Sequence, residues 1–150
     1  MRKWIGYTVV AGVLPWLMGC DVLTDLLLPS TVTVSLVNDS PDFDVEVVLI
    51  YHDDEDVLEL VLPEVGTERE FTIEPGGTAT FVRDCDVLQA IVIDDADLLI
   101  IGGVGPETSS DILRMGEDFE CGDEIVFTFT HGGLLLDFDV TAEAHPRTWE

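Results

Sequence analysis

Lysine is missing from all but the first few residues of this 150-residue chain: Lys3 is the only one. Basic residues of either kind number six, against 31 acids. A surface with so little positive charge has nothing to neutralise phosphates with, which excludes nucleic acid as a partner. It also excludes charge-driven docking on an anionic lipid surface. Cysteine is scarce too, at three residues, and none stands in a CxxC pair. That spacing is what zinc ribbons and thiol redox motifs need, so both classes fall away. No GxSxG nucleophile elbow occurs, and the glycine-rich stretch "GGVGPETSSD" (102–111) lacks the GK[ST] ending of a phosphate cradle. We read it as a plain loop. No apolar run is long enough to span a membrane as a helix, and no internal repeat is visible.

The one sustained apolar run is at the N-terminus. Arg2 and Lys3 precede it, and Trp4 to Met18 carries no charge. Fifteen helical residues reach only about 22 Å, short of the roughly 30 Å hydrocarbon core. Gly12 and Pro15 weaken a helix further. A positive start, a short apolar region and a small residue at the exit have the form of an export signal.

The run closes on Leu17-Met18-Gly19-Cys20. This tetrad resembles the lipobox of bacterial lipoproteins: an aliphatic residue, a variable one, a small one, then cysteine. The resemblance implies cleavage between Gly19 and Cys20, a diacylglycerol thioether on Cys20 and acylation of its new amino group. Two or more acyl chains anchor stably where one does not. The expected organisation is a signal peptide at 1–19, the lipidated Cys20 and an apolar tether over 20–30, one domain over 31–143, and a fraying tail at 144–150. Without the signal, four arginines face all 31 acids, leaving −27. The acids are spread along the whole chain, as suits a salty medium that screens self-repulsion.

After Ser30 the pattern has the two-residue period of strands. Val32, Val34 and Leu36 alternate with Thr31, Thr33 and Ser35, and "NDSPD" (38–42) supplies a turn. Phe43–Tyr51 alternates and then becomes apolar on both faces. Val57–Leu62, Phe71–Ile73, Thr78–Val82, Val87–Ile93, Leu98–Ile101, Glu124–Thr130 and Leu134–Val140 are further candidate strands. "EPGG" (74–77) suits a type II turn, and "HGG" (131–133) a compact hairpin. Ser109–Met115 carries the one short helical stripe. Eight or nine short strands with turns between them predict an all-β antiparallel sandwich. "VTVSLVNDSPDFDVEVVLIY" and "IEPGGTATFV" are similar to strands and turns of bacterial immunoglobulin-like domains, a resemblance that implies that sandwich and no functional residues.

Cys85 and Cys121 remain in the domain, and an oxidising compartment favours their pairing in a disulfide. Two acidic runs concentrate oxygen ligands as calcium requires: "HDDED", with Asp53, Asp54 and Asp56, and "DDAD", with Asp94, Asp95 and Asp97. Neither has EF-hand spacing. The sequence therefore reads as a lipid-anchored envelope protein with a non-enzymatic binding or structural domain, needing no cofactor. It would reach the membrane through lipid and meet an envelope protein as partner. Two other readings stand beside it: a calcium-dependent binding or adhesion module using the acidic loops, and a carboxylate-dependent hydrolase.

Overall fold

In a computed structural model, residues 29–100, 103–132 and 137–146 are described. Nine strands and one helical turn follow in order. They are β1 (Thr31–Asn38), β2 (Asp44–His52), α1 (Leu62–Val65), β3 (Thr67–Ile73), β4 (Thr78–Asp84), β5 (Ala90–Ile100), β6 (Gly103–Thr108), β7 (Leu113–Arg114), β8 (Glu124–His131) and β9 (Phe138–His145). One sheet has the order β4-β1-β8-β9, the other β3-β2-β5-β6 with β7 also on β5. The predicted all-β sandwich is the fold observed. All pairings are antiparallel but one: β1 and β8 run parallel at the centre of the first sheet.

The core lies between the sheets. Val32, Val34 and Leu36 of β1 and Ile125, Phe127 and Phe129 of β8 meet Val45, Val47 and Leu49 of β2 and Ile91 and Ile93 of β5, all fully buried. Each set sits at every second residue, so the alternation legible in the sequence is the inward face of a sheet. A second, smaller cluster lies on the opposite side of the β2–β5 pair. There Ile50, Ala90 and Val92 are covered by Val57 and Leu62.

Five expectations are corrected. Val57–Leu62 is not a strand. Leu62 and Val57 fold inward over Ile50, and Pro63 opens α1, where its missing N–H costs nothing. Gly66 then passes so close to Ile50 that a Cβ there would lie 2.3 Å from its Cγ2. Asp94, Asp95 and Asp97 do not form a loop between two strands; they lie inside β5. Val48 pairs with Asp95 and Leu49 with Ile93, which leaves Asp94 as the extra residue of a β-bulge. The bulge explains the misreading. The inward positions step from Ile93 to Ala96, three residues rather than two, and a strict alternation appears broken there. The glycine-rich stretch is largely strand β6, with Gly105 and Pro106 spanning a second irregularity against β5. Pro106 is tolerated because β6 is an edge. Ser109–Met115 is not helical and contributes β7. Strand β9 runs on to His145, two residues into the segment expected to fray.

Asn38 closes the end where β1 leaves and β2 begins. Its fully buried amide donates to the carbonyls of Phe43 (2.9 Å), Ile73 (2.9 Å) and Glu74 (3.2 Å), and its Oδ1 accepts from the Ser40 N–H (2.9 Å). One side chain thus ties the β1–β2 turn to the β3–β4 turn. That second turn has the predicted type II form, with Gly76 at φ 67° and Gly77 N–H donating to the Glu74 carbonyl.

At the edge shared by β3 and β4, Arg69 lies 5.5 Å from the Phe71 ring and 5.4 Å from Phe81. Arg83 lies 5.4 Å from Phe81 and 5.6 Å from Tyr51, and its Nε donates to the Tyr51 hydroxyl at 3.1 Å. These arginines stack on aromatic faces, and among the described residues no arginine lies within 4 Å of a carboxylate.

Two stability predictions follow from these ties. Asn38→Ala strands several buried carbonyls and lowers stability by about 3 kcal/mol in denaturant titration. Cys85 and Cys121 are bonded to each other, and replacing both by Ala opens a loop of 36 residues and costs about 3–4 kcal/mol, read as a drop in midpoint that reductant reproduces in the native chain.

Candidate functional site

Strand registers place Thr31, His52, Asp84, Ala90, Glu124 and His145 at one end of the sandwich. The described chain enters the domain there. Pro29 and Ser30 are held firmly. Cys85 N–H donates to the Ser30 carbonyl (2.9 Å), Gly122 N–H donates to the Thr31 carbonyl (3.1 Å), and Cys121 Sγ lies 2.9 Å from the Pro29 carbonyl oxygen. Cys85 and Cys121 are joined in the expected disulfide, their Cα atoms 5.7 Å apart. Gly122 has φ 102°, and a Cβ on it would lie 2.4 Å from the Pro29 ring. Only glycine fits, so bond and glycine together make a socket around the entering chain. Gly19 and Cys20, the expected cleavage and lipidation positions, lie outside the described residues.

The same end carries the 53–66 connection. Asp53, Asp54 and Asp56 sit in it and are exposed. Asp54 serves the local backbone, its Oδ1 accepting the Asp56 N–H at 3.0 Å, and Asp53 Oδ1 lies 3.4 Å from His52 Nδ1. Arg114 holds this connection down by donating to the carbonyls of Glu55 and Val57, the latter at 2.9 Å. A cleft of about 320 Å³ opens beside it, lined by Glu55, Asp56, Arg114, Met115, Gly116 and Glu117. Further along, Leu58, Leu60, Val61 and Val65 face solvent, Leu60 at 89% exposure.

The second acidic run lies elsewhere. The β5 bulge turns Asp94 to solvent, while Asp95 and Asp97 occupy the outer face of the second sheet. Asp97 sits between Glu46 of β2 and Glu107 of β6 in one row across three strands. Burial pushes its carboxyl pKa up, and Asp95, Glu107 and Glu46 add to the rise by repulsion. Its Oδ1 is buried without a hydrogen-bond partner. The two acidic runs are not brought together. Among the described residues no group of three or more His, Cys, Asp or Glu side chains converges as a metal site would require.

A second cleft of about 340 Å³ lies between the β6–β7 link and β9, lined by Ser109, Ser110, Asp111, Leu113, Asp139, Val140 and Ala142. Of its two serines, Ser110 is structural. Ser110 Oγ accepts the Ile93 N–H at 3.0 Å and donates to the Asp111 carbonyl at 3.0 Å, pinning the link to β5.

No family model matches the chain, and no curated protein sequence matches it. Some solved structures resemble it in part. One is the T6SS lipoprotein TssJ1 from Pseudomonas aeruginosa, at 11% identity over 80% of this chain and 99% of that one, with a TM-score of 0.45. A protein from Eubacterium rectale is 14% identical over 75% and 87% of the two chains, with a TM-score of 0.40. A disulfide-locked mutant of Intermedilysin, solved with human CD59, is 11% identical over 77% of this chain and 24% of that one, with a TM-score of 0.41. At these scores no residue and no role passes from them to this chain.

Sequence reasoning missed the socket, the Arg114 clasp and the exposed leucines. Gly122 beside Cys121 was the one signal available for the socket. Arg114 and Leu60 stand in segments whose local pattern suggested other structure.

Asp97 yields a pH prediction. A carboxyl whose pKa is raised on folding destabilises the fold when ionised, and the penalty fades as pH falls through the folded value. Asp97→Asn therefore raises Tm by a few degrees at neutral pH. The gain disappears below about pH 3, where both states are protonated. Molar salt removes the repulsive part of the gain.

Proposed function

We propose that this chain is a lipid-anchored protein of the bacterial cell envelope whose sandwich acts as a non-enzymatic binding or structural module. The observation that carries this reading is the Leu17-Met18-Gly19-Cys20 tetrad at the exit of a short, positively headed apolar run. The entry socket agrees with it mechanically. Tension on an N-terminal anchor would pass through Pro29 into β1, a central strand, and into a covalent crosslink. The acidity of the domain agrees as well. With −27 on the processed chain, attraction to an anionic leaflet is absent and a covalent lipid must supply the hold.

The test is the state of residue 20. Mass spectrometry of the chain isolated from membranes is expected to find an N-terminal peptide that begins at Cys20 and carries acyl chains. Cys20→Ser is expected to abolish that modification and the cut after Gly19. A native chain that retains Met1, or an unmodified Cys20 peptide, overturns the reading.

A further inference from the structure

We infer that residues 58–65, in the connection from β2 to β3, dock a basic amphipathic segment of a partner protein. This names the surface and the partner chemistry of the binding module proposed above, and it rests on that reading. Four large apolar side chains stand in the open within eight positions: Leu58 is 69% exposed, Leu60 89%, Val65 50% and Val61 36%. The other exposed large apolar residues among those described are Val82 in β4 and Val87 just after it. Single apolar residues on a surface are ordinary, whereas four in one short connection mark a place of contact. The fold itself sets this display. Val61 and Leu62 N–H donate to the Leu58 carbonyl (2.9 and 3.0 Å), Val65 N–H to that of Val61 (3.2 Å) and Gly66 N–H to that of Leu62 (2.8 Å). Beneath these turns Val57 and Leu62 are buried in the cluster of Ile50, Ala90 and Val92, and Arg114 clasps the Glu55 and Val57 carbonyls. The outward side chains are the ones the domain leaves unused. A partner meets them already ordered, which lowers the entropic cost of binding.

Charge selects the occupant. Glu59 stands between Leu58 and Leu60 in the chain, Glu64 stands beside Val65, and both are exposed. Positions 53–65 hold six acids, all exposed, and no basic residue. Among the described residues neither Glu59 nor Glu64 has an ion-pair partner. The described arginines are engaged otherwise, Arg69 and Arg83 on aromatic rings and Arg114 on main-chain carbonyls. A second copy of this chain would bring the same acids against themselves across a two-fold axis. A bilayer would have to take up Glu59 together with the leucines on either side of it, and an ionised carboxylate in hydrocarbon is costly. A protein segment with apolar side chains flanked by Lys or Arg avoids both penalties. Its apolar face covers the leucines, and its cations pair with Glu59 and Glu64.

Fluorescence anisotropy tests the inference. The probe is a labelled synthetic peptide of about 14 residues with leucine on one helical face and lysine on the other. It is titrated with the full chain held in phosphatidylcholine nanodiscs, and empty discs give the baseline. Native chain is expected to bind the peptide saturably above that baseline. Leu58→Ser/Leu60→Ser is expected to weaken binding by about tenfold or more, and Glu59→Gln/Glu64→Gln by several-fold at low salt. Val82→Ser/Val87→Ser, at exposed valines elsewhere, leaves it unchanged. All these side chains are exposed, so the fold is retained, which an unchanged Tm verifies for each variant. Binding that survives the leucine substitution overturns the proposal, as does equal binding of a peptide with serine in place of leucine, since either reduces the attraction to bulk acidity. Absence of binding above the empty discs overturns it too. Crosslinking of a photoactivatable phosphatidylcholine in the discs to 58–65 assigns the surface to the bilayer, and self-association lost on leucine substitution assigns it to a second copy; both outcomes overturn the proposal. The mass of the Cys20 peptide, read on the same samples, decides the anchoring reading separately.

Discussion

Electrostatic self-repulsion is the constraint under which this structure is built. A domain this small with 28 acids and three arginines over 31–143 cannot bring its charges into compensating pairs, and it does not try to. Arg69 and Arg83 lie against the rings of Phe71, Phe81 and Tyr51, and Arg114 binds main-chain carbonyls. The cations are used as packing and clasping groups. Cohesion then has to come from apolar burial between the sheets, from the Asn38 amide at one end and from the Cys85–Cys121 bond at the other. Repulsion is dispersed by sending acids outward at alternate strand positions. Where three strands align Glu46, Asp97 and Glu107, burial first and then this repulsion push the Asp97 carboxyl pKa up.

The two ends of the sandwich are held by different chemistry. At one, a single buried amide satisfies three carbonyls and an N–H from two turns. At the other, a covalent bond and a glycine without room for a side chain grip the entering strand. An amide network is specific in geometry and gives way cooperatively, whereas a crosslink acts chiefly on the unfolded chain. The covalent device stands at the end where the N-terminal segment leaves the domain.

Much of the fold could be read from alternation alone. Val32, Val34 and Leu36, or Ile125, Phe127 and Phe129, repeat at two residues because their strands are regular and one face of each is buried. Legibility failed where the backbone departs from that period. The bulge at Asp94 shifts the inward phase by one residue, so a single 11-residue strand looked like two with a loop between them. The 57–62 stretch has a strand's composition but no neighbour to pair with, and it spends its leucines covering Ile50 instead. The disulfide was legible because only two cysteines remain in the domain. The acidic runs were legible only as composition: in a chain this rich in carboxylates, local density says little about convergence in space.

The parallel pairing of β1 with β8 has a consequence in time. Ser35 and Glu124, hydrogen-bonded in the finished domain, are 89 residues apart in sequence. As the chain is synthesised from its N-terminus, β1 pairs early with β4, but its other edge stays open until almost the whole domain has emerged. Contacts of such separation carry a large loop-closure cost and form slowly. The first sheet is therefore a late-closing structure. Its central strand spends the interval as an unsealed edge, the kind of surface on which nascent β proteins go astray.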